Sequence, residues 1–478
     1  MSEPSKKQKR SLFSPVVFST AWLTTYCLLR LFPYEYQYAA DTILRYVLDP
    51  LGVLVAVWLL FFVKRLRPFE IVLPLLVPVW FFASNLLRGN VPDLPLLMRT
   101  CTYFVIWCTV YWYGRVLSSE GMKLQIVLFL RLLCMVTAVM LLFGTGLRFY
   151  LNRKGLEIEN AICSLHGRLS LFGMHANTIG AICSICILFG IFLLGNCPKR
   201  KRILHVCQVA VFTVCLLMTD SRTCEVSLAA CLGLLLARTV FLRCGGGVRR
   251  VLVSLAVLIV CTSAAYGAMY VSAKGVSAAY QWAITWSPRA VRGEKATDGS
   301  GPDALPQEAR QTGGQAETNG SGGTAANGKR TEIKVRPVAY SNTIRSRIRL
   351  WEHWLGLFAK EKAALFIGTD SVPENMEEDG YDPHNAYIST LVHYGLPTAL
   401  LFMAILLVAV RQTYPAIAAK NGEAFTLAVC CLFCLLNACM ESVFFYSSEM
   451  LNILFSWMLG ACVGYGRSAP GRHGVFRI

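Results

Sequence analysis

Long apolar blocks alternate with short polar segments along most of the chain. Each block has the length of about 20 residues that a helix needs to cross the hydrocarbon core of a membrane. We therefore predict an all-α polytopic membrane protein with about 12 transmembrane helices. The predicted helices lie at 13–32, 48–63, 69–87, 96–114, 123–144, 177–195, 203–219, 224–242, 251–271, 386–410, 424–445 and 450–466.

The longest polar stretch separates the ninth predicted helix from the tenth. It divides the chain into a transmembrane region of about nine helices at 1–271, a large loop at 272–385, and a region of about three helices and a tail at 386–478. Within the loop, 291–333 lacks aromatic residues and is rich in Gly, Ala, Thr, Gln and Asn, so we expect disorder there. The pattern near 343–360 predicts an amphipathic helix.

Composition and charge support this topology. The chain is 55% hydrophobic and 15% charged, whereas soluble domains are about 25% charged. Its net charge of +18 comes largely from clusters between apolar blocks, as at 64–67 and 199–202. These clusters fall on one side when both termini are cytoplasmic, which makes the large loop extracytoplasmic. No basic folded module accompanies the charge, so we predict no nucleic-acid partner.

Four polar features fall on the predicted outer side, which makes them one candidate site. They stand before the sixth helix, between the seventh and eighth helices, on the amphipathic loop helix, and at the start of the tenth helix. The candidate residues, in that order, are Arg168 and Asn177, Ser221 and Arg222, Arg347, and His384 and Asn385.

Each feature also has a structural interpretation. Three residues are of types that cap helix N-termini, namely Asn177, Ser221 and Asn385. Arg222 could anchor its helix at the membrane boundary. Arg347 and His384 could be surface residues of the loop, so the residue types alone leave both interpretations open.

The combination nevertheless has a chemical logic. Guanidinium groups bind phosphate oxygens bidentately, and histidine can take a proton from a hydroxyl near neutral pH. Arginines and a histidine at a membrane boundary therefore suit transfer from a lipid pyrophosphate to an alcohol without a metal. We interpret the acidic run at 374–382 as a solvated turn rather than as a metal site.

The order and spacing of these features resemble the O-antigen ligase and O-antigen polymerase superfamily. The similarity covers roughly 160–445, and no single motif carries it. The matching motifs are the turn Thr219-Asp220-Ser221-Arg222, the Arg347-to-Trp351 spacing, Gly368, the step His384-Asn385-Ala386-Tyr387, the continuation His393-Tyr394-Gly395-Leu396-Pro397, and Arg168 with Asn177. Thr223-Cys224-Glu225 departs from the small residues usual in this superfamily.

The resemblance implies a glycosyltransferase of surface polysaccharide assembly in the bacterial cytoplasmic membrane. Its donor would be a glycan on undecaprenyl pyrophosphate, and its acceptor a lipid-linked repeat (polymerase) or another glycan or lipid (ligase). His384 would act as the base, and three arginines would bind the pyrophosphate, namely Arg168, Arg222 and Arg347. Supporting roles would go to Asn177, Ser221 and Asn385.

No cofactor or nucleotide is implied by the resemblance, since the lipid-linked sugar carries the energy of transfer. Partners would be the donor, the acceptor, membrane lipid and proteins of polysaccharide assembly. The alternative function is a polytopic transporter or a flippase for lipid-linked glycans. That alternative predicts polar residues near the middle of the bilayer and symmetry between two halves of the chain.

Overall fold

The computed structural model describes residues 15–30, 34–62, 66–117, 119–154, 169, 176–244, 247–285, 344–370, 383–441 and 450–467. Regular structure in these ranges is helical, without strands. The first helices are α1 (Pro15–Leu29), α2 (Tyr34–Ile43), α3 (Asp49–Phe62), α4 (Pro68–Leu87), α5 (Leu94–Phe104), α6 (Tyr111–Val116), α7 (Ser119–Lys154) and α8 (Ala176–Asn196). They are followed by α9 (Lys199–Thr219), α10 (Arg222–Arg243), α11 (Val248–Thr285), α12 (Ile344–Lys360), α13 (Ala364–Ile367), α14 (Ala386–Ala418), α15 (Gly422–Ala438) and α16 (Met450–Arg467).

The helices confirm the class of polytopic membrane protein. Within the described part of the chain, nine helical spans are long and apolar enough to cross a membrane. They correspond to the second to tenth predicted helices. The first, eleventh and twelfth correspond to the shorter helices α1, α15 and α16, so the total of twelve stays a prediction.

The second span begins earlier than its hydropathy predicts. It covers Ala39–Phe61 and includes a π-helical turn at Leu44–Leu48 that joins α2 to α3. Asp41 belongs to this helix and pairs with Arg45 at 3.7 Å and with Arg30, the residue after α1, at 3.1 Å. Because the charges pair with each other, a stretch that looks like a loop in the sequence is helical.

The loop region is helical at both of its edges. α11 continues to Thr285, inside the range predicted as loop, and α12 lies where the amphipathic helix is expected. The tract 291–333 lies outside the described residues.

Burial separates central helices from peripheral ones. α8 is the most enclosed of the nine spans, whereas the apolar window of α11 is not buried, as expected for a helix that faces lipid. α6 and α16 approach closely through Gly114 and Gly460. A Cβ on Gly114 would lie 2.2 Å from the carbonyl oxygen of Trp457. Small residues at a helix interface permit this contact between backbones.

Helix ends that the sequence assigns to the loop side meet at one end of the bundle. There, near the start of α8, Asn177 Nδ2 donates to Glu441 Oε1, just after α15, at 2.7 Å. At the opposite end, Arg238 of α10 donates to the carbonyl oxygen of Asn421 before α15 at 3.1 Å. We call the end that contains Asn177 and Glu441 the loop end. Which end faces the cytoplasm stays a prediction.

α14 is kinked near the loop end. Gly395 has a φ of 77° inside this helix, and Gly368, after α13, has a φ of 78°. A Cβ on Gly395 would lie 2.0 Å from the carbonyl oxygen of Phe366, and one on Gly368 would lie 2.2 Å from that of His393. Both positions therefore require glycine, for backbone conformation and for space.

Candidate functional site

The N-terminus of α14 is capped by Asn385. Its Oδ1 accepts hydrogen bonds from the backbone N–H groups of Tyr387 at 3.0 Å and Ile388 at 3.1 Å. Its Nδ2 donates to the carbonyl oxygen of Cys439 at 2.9 Å. The capping interpretation of Asn385 is thus confirmed, and the same side chain attaches the start of α14 to the end of α15.

His384 stands immediately before this cap in a left-handed conformation. Its φ is 49°, which is uncommon for residues other than glycine and costs roughly 1–2 kcal/mol. The carbonyl oxygen of the preceding Pro383 accepts from Trp351 Nε1 of α12 at 2.8 Å, and the following Asn385 is held by the cap. The neighbours thus fix the backbone of His384, while the residue itself is exposed at the surface.

Arg347 contacts the segment that follows α15. Its Nη1 donates to the carbonyl oxygen of Met440, and its Nη2 lies 3.7 Å from Glu441 Oε1. Glu441 is buried and also accepts the hydrogen bond from Asn177. The backbone N–H of Ala386 donates to the carbonyl oxygen of Glu441 at 3.1 Å. Glu441 therefore links α8, α12 and the start of α14.

Glu441 is the main residue of this site that the sequence-based candidates omit. The sequence shows it only as an ionisable residue inside the eleventh predicted helix, 424–445, a signal that does not show which partners it meets. Its contacts with Asn177 and Arg347 join segments that are far apart along the chain.

The turn between α9 and α10 packs against the same group of residues. Ser221 occupies the N-cap position of α10, but its side chain forms no capping hydrogen bond. Cys224, one turn later, donates through Sγ to the carbonyl oxygen of Asn177 at 3.4 Å and accepts from Asn437 Nδ2 at 3.2 Å. The capping interpretation of Ser221 is therefore wrong, because the first turn of α10 faces α8 and α15 instead.

Arg222 begins α10 and is exposed. It belongs to the turn that joins α9 to α10 at the loop end. Arg168 lies outside the described residues.

The structure thus brings three of the predicted residues together near Glu441, namely Asn177, Arg347 and Asn385. His384 immediately precedes Asn385 and is exposed. Ser221 and Arg222 belong to the adjoining turn at the same end of the bundle. The loop end therefore carries an exposed histidine and two arginines on separate helices.

No group of three His, Cys, Asp or Glu residues within the described ranges could hold a metal ion. The acidic run at 374–382 lies outside these ranges. No protein-family model matches the chain, and no curated protein matches it.

Proposed function

We propose that the protein is a membrane glycosyltransferase that uses an oligosaccharide on undecaprenyl pyrophosphate as its donor. The reaction would take place at the outer face of the bacterial cytoplasmic membrane, with the loop end outside and both termini inside. The observation that carries the proposal is the exposed, left-handed His384, held between two hydrogen-bonded neighbours beside the Arg347–Glu441 pair.

In this reaction His384 takes the proton from a hydroxyl group of the acceptor. The hydroxyl oxygen then forms a bond to the anomeric carbon of the donor sugar. The bond between that carbon and the pyrophosphate oxygen breaks, and its electron pair leaves with undecaprenyl pyrophosphate. A base placed in this way contributes roughly 100-fold to 10,000-fold to a rate.

The arginines would stabilise the charge on the leaving pyrophosphate. Arg222 is exposed and begins a helix, and a helix N-terminus favours an anion. Arg347 is oriented by Met440 and Glu441, which keeps its guanidinium group in place before a substrate binds. Arg168 is proposed for the same role from the resemblance alone.

The proposal is tested with purified protein in liposomes that contain a defined undecaprenyl-pyrophosphate oligosaccharide. Mass spectrometry of the products measures glycan transfer. We expect His384→Ala to lower the rate at least about 100-fold, and His353→Ala to retain it. His353 is a matched control because it is an exposed histidine of α12 on the same loop.

Transfer at the normal rate by His384→Ala would refute the role of His384 as base. A lengthened lipid-linked product would identify a polymerase, and transfer to a second acceptor a ligase. Movement of the intact donor between leaflets, without any new glycosidic bond, would favour the alternative of a flippase and refute the glycosyltransferase.

A further inference from the structure

A polar cavity also lies at the loop end, and its walls contain none of the candidate-site residues. Its volume is about 210 Å³, enough for several water molecules or a small anion. Its walls come from the ends of α1, α4 and α5, the π-helical turn after α2, and the kinked part of α14. Four arginines line it, namely Arg30, Arg45, Arg88 and Arg99.

Positive charge exceeds negative charge around this cavity. Arg30 and Arg45 share the single carboxylate of Asp41, and Arg88 pairs with Asp370 at 2.9 Å. Arg99 has no carboxylate partner among the residues that the structure describes.

A third carboxylate, Asp49, lies nearby. It accepts hydrogen bonds from the hydroxyl groups of Tyr26 at 2.7 Å and Thr102 at 2.6 Å. Even when Asp49 is counted as ionised, the four guanidinium groups outnumber the three carboxylates. The cavity is therefore suited to an anion.

Arg88 adds an observation that points to a ligand. Its side chain is only 8% exposed. Nη1 donates to Asp370 and to the carbonyl oxygen of His393, and Nη2 donates to Asn85 Oδ1, each at 2.9 Å. Its Nε is buried without a hydrogen-bond partner. A buried donor without an acceptor is unfavourable, and a small shift of the Arg88 side chain would let the oxygen of a phosphate in the adjoining cavity supply one.

An apolar groove lies next to this cavity, between α4 and α14. Its volume is about 370 Å³, and it is lined by Leu76, Val79, Trp80, Pro397, Leu400 and Leu401. Trp80 Nε1 donates to the carbonyl oxygen of Tyr394 at 2.9 Å, and Tyr394 also lines the cavity. The polar cavity and the apolar groove are therefore adjacent parts of one seam between the two helices.

We propose that this seam binds a membrane lipid with a phosphate headgroup. The phosphate occupies the arginine cavity, and a hydrocarbon chain lies in the groove toward the middle of the membrane. The excess of arginine favours a negatively charged headgroup, and the apolar groove favours a lipid over a soluble phosphate. The site is separate from the residues proposed for glycan transfer, and it does not depend on that function.

Native mass spectrometry of the full chain in detergent tests the proposal. The probes are dioleoyl phosphatidic acid, dioleoylglycerol, which differs from it only by the missing phosphate, and inorganic phosphate. We expect retained phosphatidic acid, at least ten-fold weaker binding of dioleoylglycerol, and no retained inorganic phosphate at the same concentration.

Two variants test whether the lipid binds in this seam. Arg99→Gln should weaken binding of phosphatidic acid at least about five-fold, and Leu400→Trp should weaken it by filling the groove. Arg349→Gln, an exposed arginine on α12, is the matched control and should bind normally. Arg99 is itself exposed, so its variant should fold, which a matching elution volume in gel filtration verifies.

Three results would overturn the proposal. Equal binding of dioleoylglycerol would show that the phosphate is not recognised. Equal binding of inorganic phosphate would show that a soluble anion occupies the cavity. Unchanged affinity in both Arg99→Gln and Leu400→Trp would place the lipid elsewhere.

Discussion

The contact between Arg347 and Glu441 yields a quantitative prediction about the candidate site. Arg347 Nη2 lies 3.7 Å from Glu441 Oε1, and the two side chains are 19% and 5% exposed. At an effective dielectric constant of about 20, Coulomb's law gives roughly 4 kcal/mol of attraction at that distance. Desolvation of both groups offsets much of this. We therefore expect a coupling free energy of about 1–2 kcal/mol between the two side chains.

A double-mutant cycle measures this coupling. The variants are Arg347→Gln, Glu441→Gln and the double variant, each compared with the unchanged protein. Glu441→Gln should destabilise by about 2 kcal/mol, because Arg347 is left partly buried without its carboxylate. The double variant should be more stable than the sum of the single effects predicts, by the coupling free energy.

The free energy of unfolding is measured by denaturant titration in detergent micelles. The control cycle combines Arg347→Gln with Glu423→Gln. Glu423 lies at the opposite end of the bundle, where it accepts from Tyr465 at 2.6 Å, so the two effects should add within about 0.5 kcal/mol. The same additivity for Arg347 and Glu441 would refute the pairing and its role in orienting the guanidinium group.

Two further predictions concern stability. Gly460→Ala places a Cβ 2.0 Å from the carbonyl oxygen of Tyr111, so α6 and α16 must separate. We expect a loss of about 3 kcal/mol in the free energy of unfolding, measured as a lower melting temperature. The control Gly267→Ala, where a Cβ meets nothing within 4 Å, should leave the melting temperature unchanged or higher. Asn385→Ala should cost about 1–2 kcal/mol by removing the cap of α14. Asn385→Ser also loses the hydrogen bond to Cys439 but keeps a capping oxygen, so it should be more stable than Asn385→Ala; equal loss in the two variants, seen in the same thermal unfolding assay, would contradict the capping contribution.

The sequence predicts the membrane class and most helix positions because both depend on local hydropathy. A hydropathy count misplaces the start of a helix where charged side chains pair with each other. Asp41 and Arg45 look like loop residues in a hydropathy count, yet they pair inside the second span. Asp41 also pairs with Arg30, which follows α1 and lies outside this span, so this contact depends on how the two segments pack.

In the candidate site, too, contacts between residues close in sequence are predictable and contacts between distant segments are not. The Asn385 cap is predictable because its hydrogen-bond partners are two and three residues away. The failure of Ser221 to cap and the position of Glu441 both follow from packing between helices. Glu441 meets Asn177 and Arg347 only after the chain has folded, and no local pattern contains that contact.

The glycine pair connects the candidate site to the arginine cavity. Because Gly368 and Gly395 let the two backbones touch, the segment after α12 is seated in the kink of α14, where the N–H of Thr369 donates to the carbonyl oxygen of Val392 at 2.8 Å. The next residue, Asp370, pairs with Arg88 of the cavity. At its other end, α12 carries Arg347 beside Glu441. One short segment is therefore held at both sites, and a bulky residue at position 368 should disturb both the Arg88–Asp370 pair and the orientation of Arg347.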